Sequence, residues 1–145
     1  MYFDCFPLRW ARVPLDELLS SFIRRRDEYF VANGTIKPRQ LMPRPNRQTG
    51  RNETSVCRSQ YLREEELWEL CRLHYDVFQA APAIGHCVGP ARAVYEAGLD
   101  IDADGIPYPQ HANIVGWPEG EESRNERMNC AQRMSGHFVF KPRRG

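Results

Sequence analysis

Apolar positions Leu15, Leu18, Leu19, Phe22, Ile23 and Phe30 fall on one helical stripe behind Pro14, a residue suited to a first helical position. The pattern predicts an amphipathic helix over residues 14–31, stopped by Asn33-Gly34. Before it, Phe6, Leu8 and Trp10 recur at period two, so residues 2–13 read as a short strand or extended arm. A second helix is expected over 62–78, with Glu64, Glu65 and Glu66 at its electropositive start and Leu67, Leu70, Cys71 and His74 facing inward. Pro90 opens a third helix to Ala97, closed by Gly98, and a fourth spans 119–134 before Gly136. Residues 53–58, 111–117 and 137–140 read as strands, 79–89 as a loop, and 99–110 as extended or turning. Together these predict one α+β domain over residues 1–145, a small mixed sheet packed with three or four helices.

Eleven prolines and ten glycines add many turns to that picture. No apolar run approaches the ~20 residues of a membrane span. Asp4, Arg9 and Arg12 interrupt the apolar start, which therefore lacks the core of a secretion signal. On that basis the sequons at Asn33 and Asn52 are chance matches, and no membrane association is expected. The five cysteines are odd in number, widely spaced and without a CxxC pair. They predict reduced thiols in a cytoplasmic protein rather than a disulfide framework.

Charge is the first pointer to function. The net charge is only +1, yet residues 1–63 hold 12 Lys/Arg against 6 Asp/Glu, and residues 64–145 hold 8 against 13. The stretch 35–52 has three prolines and five cations (Lys37, Arg39, Arg44, Arg47 and Arg51) and no acid, so it is expected to be a long basic loop. The leading expectation is a non-enzymatic binding or accessory module whose basic N-terminal surface contacts a protein partner or a nucleic acid. Arg44, Arg47, Arg51, Arg58 and Arg92 are the residues expected to bind partner or phosphate.

The segment 110–118, QHANIVGWP, carries the most distinctive chemistry. On a strand His111, Asn113 and Val115 share one face, and an imidazole suits proton transfer near neutral pH. The second expectation is accordingly a small His-dependent enzyme acting on RNA or a nucleotide through His111 and Asn113, with Arg58 or Arg92 countering phosphate charge. Ser55-Val56-Cys57-Arg58, the Glu64–Trp68 stretch, Ala97-Gly98-Leu99 and His111–Pro118 together resemble a group of small uncharacterised bacterial proteins with a His-Ala-Asn-Ile-x-Gly-Trp-Pro motif. That group has no established activity, so the resemblance marks 53–133 as a shared module and implies no catalytic residue.

Weaker constellations complete the reading. Asp100, Asp102, Asp104 and Gly105 match the first half of a calcium loop, but His111 stands where a bidentate Glu belongs. Cys57, Cys71, His74, His86 and Cys87 could converge on zinc only through an unfamiliar spacing. Gly85–Pro90 ahead of a helix could cradle an anion, though it is not a Walker loop. A cysteine nucleophile at Cys57, Cys87 or Cys130 would need a histidine brought beside it in space. None of these is complete, so no metal and no cofactor is expected.

Overall fold

Residues Leu18–Ile23 form strand β1 rather than a helix in the computed structural model, which describes residues 12–144. The expected arm at 2–13 lies outside the described residues except for its last two. Leu19 and Ile23 enter one hydrophobic core while Phe22 enters another on the opposite side. A strand buried on both faces is apolar in consecutive positions, and a short run of that kind also satisfies a helical template. Asn33-Gly34 is not a helix stop. It turns a tight hairpin in which Phe30 N–H donates to the Thr35 carbonyl and Gly34 takes a φ of 75°.

Six further strands join β1: β2 (Arg44–Pro45), β3 (Asn52–Cys57), β4 (Gly85–Pro90), β5 (Asp100–Asp102), β6 (His111–Val115) and β7 (Val139–Pro142). The sheet order is β5–β6–β3–β1–β4–β7, with β2 also paired to β3. The α+β class is as the sequence predicts. Within it, every strand pairing is antiparallel where a mixed sheet was expected.

Three α-helices cover the sheet among the described residues: α1 (Glu64–His74), α2 (Ala91–Glu96) and α3 (Arg124–Ser135). Val94, Ala131 and Met134 pack with Leu19, Val56 and Ile114 into the larger core. Leu67, Trp68 and Cys71 of α1 pack with Phe22, Cys57 and Tyr108 on the other face. Glu66 closes the start of α1 by accepting the Arg63 N–H at 2.8 Å. The helix stops before the expected end at 78 because Asp76 turns away, accepting from the Ala83 N–H at 3.0 Å and from Arg143 at 2.9 Å.

Strand β4 lies where a loop was expected. Its glycines are there for close packing, since a Cβ at Gly85 would lie 2.5 Å from the Phe140 ring and one at Gly89 would lie 2.6 Å from the Phe138 ring. The long basic loop also resolves into structure. A 3₁₀ turn at Pro38–Leu41 leads into β2, and residues 46–51 form the turn to β3, tied by Asn46 Oδ1 accepting from the Gln48 and Thr49 N–H groups.

The sheet is split at its centre. β1 and β3 pair only at Ser20 and Cys57, and beyond that point they diverge. The 3₁₀ turn wedges into the gap. Gln40 Nε2 donates to the Phe22 carbonyl and to Ser21 Oγ, both at 3.0 Å, and Thr54 Oγ1 donates to the Leu41 carbonyl at 2.8 Å. The Gln40 amide thereby satisfies the Phe22 carbonyl, which a continuous ladder would otherwise have paired.

Candidate functional site

The split opens a cleft of about 580 Å³ between β1 and β3. Its walls carry Ser21, Ser55, Tyr75, Gln40 and four arginines, Arg24, Arg25, Arg39 and Arg44, against Glu28 and Glu53. Glu53 is already engaged by Arg51 and by Asn46 Nδ2, and Arg25 and Arg39 share Asp27 at 2.7 and 3.0 Å. Arg24 differs from these. Its Nε and Nη2 are withdrawn from solvent and find no hydrogen-bond partner among the described residues. These two nitrogens are sealed from the open cleft, so what Arg24 presents to it is the remainder of a half-buried side chain.

Ser55 stands exposed on the cleft wall and is backed by an ordered relay. Its Oγ lies 2.8 Å from His111 Nε2, and His111 Nδ1 lies 2.7 Å from Asp104 Oδ1. Asn113 Nδ2 donates to the other Asp104 oxygen at 3.0 Å. A carboxylate only accepts, so the imidazole proton sits on Nδ1 and Nε2 is left to take the Ser55 hydroxyl proton. The β3–β6 register, with Ser55 opposite Asn113 and Cys57 opposite His111, puts all four side chains on one sheet face. Gly105 at φ 66° lets the following loop fold back, its N–H donating to the His111 carbonyl at 3.1 Å, which brings Asp104 under the ring.

Two donors flank Ser55. Tyr75 Oη is 3.2 Å from its Oγ and is bonded in turn to Tyr108 Oη at 2.6 Å. Burial raises the pKa of both phenols, which stay protonated. Arg58 N–H donates to the Gln110 carbonyl on the β6 side at 2.7 Å, so strand alternation turns the Ser55 N–H to the opposite edge, into the cleft. A second serine–histidine pair, Ser20 Oγ to His86 Nδ1 at 2.8 Å, has no comparable reach, because Ser20 is fully buried and also bonded to Ser59.

The structure redistributes the expected arginines. Arg58 is no surface cation. It is fully buried in a bidentate pair with Glu17 and cannot contact a partner or a phosphate. Arg51 is tied to Glu53 and to Asp102, the latter at 2.6 Å. Arg44 lines the cleft, whereas Arg47 is exposed in the β2–β3 turn and Arg92 is exposed on α2. His111 is buried and meets the cleft only through Ser55.

The remaining constellations separate. The Gly85–Pro90 segment is strand rather than an anion loop, and the first α2 amides donate to the Glu17 and Leu15 carbonyls. Asp102 pairs with Arg51 and Asp104 with His111, and Asp100 accepts from the next N–H, so the three acids face different partners. Among the described residues no three His, Cys, Asp or Glu side chains group to hold a metal ion. Burial pushes the Cys57 and Cys87 thiols up to about 12, which removes both as nucleophiles at neutral pH. None of the described helices is long and apolar enough to cross a membrane.

The sequence places His111 and Asn113 on one face and sets Arg24, with Arg25 and Arg26, on the polar side of the expected first helix, but gives no role to Ser55, Asp104 or Tyr75 in a site. The Ser55-Val56-Cys57-Arg58 stretch and the acidic turn both stand out in the sequence, but nothing in one dimension links them. No family model, no curated protein and no solved structure matches the chain.

Proposed function

We propose that the protein binds a small phosphate-bearing ligand in the cleft between β1 and β3. The observation that carries this reading is the convergence of four arginines, Arg24, Arg25, Arg39 and Arg44, on one cleft lined, among the described residues, by only two carboxylates, Glu28 and Glu53. Guanidinium groups match phosphate oxygens in geometry as well as charge. The volume falls within the ~300–1,000 Å³ of small-molecule sites. A concave site of this kind favours a compact ligand over an extended strand of nucleic acid. It also keeps the basic N-terminal half as the binding element while moving the contact from an outer face into a cleft.

Titration calorimetry with inorganic phosphate and with adenosine 5′-monophosphate tests the reading. Saturable binding that weakens with added salt, and that falls at least tenfold in Arg24→Ala and in Arg44→Ala, is the expected result. Absence of heat with both ligands at millimolar concentration, from protein with an intact fold, refutes it.

A further inference from the structure

We infer that Ser55 is a nucleophile, His111 its general base and Asp104 the residue that positions the base, and that together they hydrolyse a carboxylic ester. The spacing supports each role. Ser55 Oγ is 2.8 Å from His111 Nε2, and His111 Nδ1 is 2.7 Å from Asp104 Oδ1, both within the reach proton transfer requires. Ser55 is exposed to the cleft while His111 and Asp104 lie behind it, so substrate meets the hydroxyl first. A serine, imidazole and carboxylate in this order define acyl-transfer chemistry by geometry and not by fold.

The reaction balances with water as the only co-reactant. Ser55 Oγ attacks the ester carbonyl carbon, and its proton passes to His111 Nε2. The carbonyl oxygen becomes an oxyanion, which the Tyr75 hydroxyl and the Ser55 N–H are placed to meet. The bond from carbon to the leaving oxygen then breaks. His111 returns its proton to the departing alcohol, leaving an acyl ester on Ser55. A water molecule attacks that ester, its proton going to His111, and the carboxylic acid departs as Ser55 recovers its hydroxyl proton. No oxidant or metal is consumed.

The substrate class rests on the phosphate-binding reading of the cleft. Arg24 and Arg44 line the same cavity as Ser55, so the favoured ester carries a phosphate group. The hydrolytic step itself does not depend on that reading.

A fluorophosphonate probe on the intact wild-type protein, with the modified peptide mapped by mass spectrometry, tests the nucleophile without any substitution. Stoichiometric modification at Ser55, release of 4-nitrophenol from 4-nitrophenyl acetate, and loss of both in Ser55→Ala are expected. Asp104→Asn should slow modification by about 10²–10⁴-fold and move the acid limb of its pH profile downward, because the imidazolium loses the carboxylate beside it. A purely structural Asp104 would change thermal stability and leave that profile in place. Inorganic phosphate should protect Ser55 from the probe. Ser55 left unmodified in folded protein that binds phosphate overturns this inference and leaves the proposed function standing. Ser55 modified without phosphate binding supports the hydrolase and overturns the phosphate-bearing substrate.

Discussion

Arg58 meets Glu17 through two parallel hydrogen bonds, Nε to Oε2 at 2.6 Å and Nη2 to Oε1 at 2.7 Å, with both side chains about 1% exposed. Tyr61 Oη adds a third donor to Glu17 at 2.9 Å. The pair anchors the approach to β1 against the end of β3. Two charges this deep are tolerated because each satisfies the other, and removing one leaves its partner buried and uncompensated. Glu17→Ala is therefore expected to destabilise the fold by about 3–5 kcal/mol, read as a fall in the urea midpoint. The double replacement Glu17→Leu with Arg58→Met should be clearly more stable than the single one. A double variant no better than Glu17→Ala would show that the pair contributes through packing alone.

Gly89 is constrained by a side chain and not by a turn. A methyl group there meets the Phe138 ring at 2.6 Å and the His137 carbonyl at 2.8 Å, and Phe138 is itself fully buried. Gly89→Ala should cost about 1–3 kcal/mol through overpacking. Gly50, whose added methyl would meet nothing within 4 Å, has a φ of 75° and so carries only conformational strain. Thermal melts of the two variants should rank Gly89→Ala as the less stable.

His86 gives the fold a pH dependence. Burial, reinforced by the nearby Lys141 charge, holds its imidazole down at about 4. In the unfolded chain it titrates near 6.5, so between about pH 6.5 and about pH 4 the unfolded state binds a proton that the native state does not. Stability should then fall as pH drops through that interval and level off for this group below it. Asp76, whose carboxyl the Arg143 and Ala83 hydrogen bonds hold below its ordinary value, loses its contribution only at more acid pH. Urea midpoints measured across the interval should slope downward for the wild type and flatten in His86→Asn. Trp68, whose ring sits edge-on to His86 at 5.4 Å between centroids, supplies the fluorescence signal.

Gln40 maintains the split that makes the cleft. Its amide donates to both Ser21 Oγ and the Phe22 carbonyl, groups that β3 does not reach. Gln40→Ala leaves that carbonyl unmatched and should cost about 1–3 kcal/mol in a denaturant titration. Gln40→Glu removes the donor as well and sets a carboxylate against the same oxygen, so it should be at least as destabilising. Equal stability of Gln40→Ala and the wild type would mean that water takes over both bonds.

Sequence by itself determined the α+β class, the helices around 64–74, 91–96 and 124–135, and the strands carrying Ser55, His111 and Asn113. Those elements announce themselves locally, through caps, dipole-matched acids, alternating faces and a closing glycine. It did not determine β1, because a strand covered on both faces shows no alternation, nor β4, whose glycines exist to admit Phe138 and Phe140 from far along the chain. It identified the arginines but not their fates. Whether a guanidinium is buried against Glu17, tied to Asp102 or left facing a cleft depends on carboxylates brought near by folding. The relay from Asp104 through His111 to Ser55 belongs to the tertiary structure for the same reason. Its two short hydrogen bonds join a loop and two strands separated by as many as 56 residues, and only the β3–β6 register makes them neighbours.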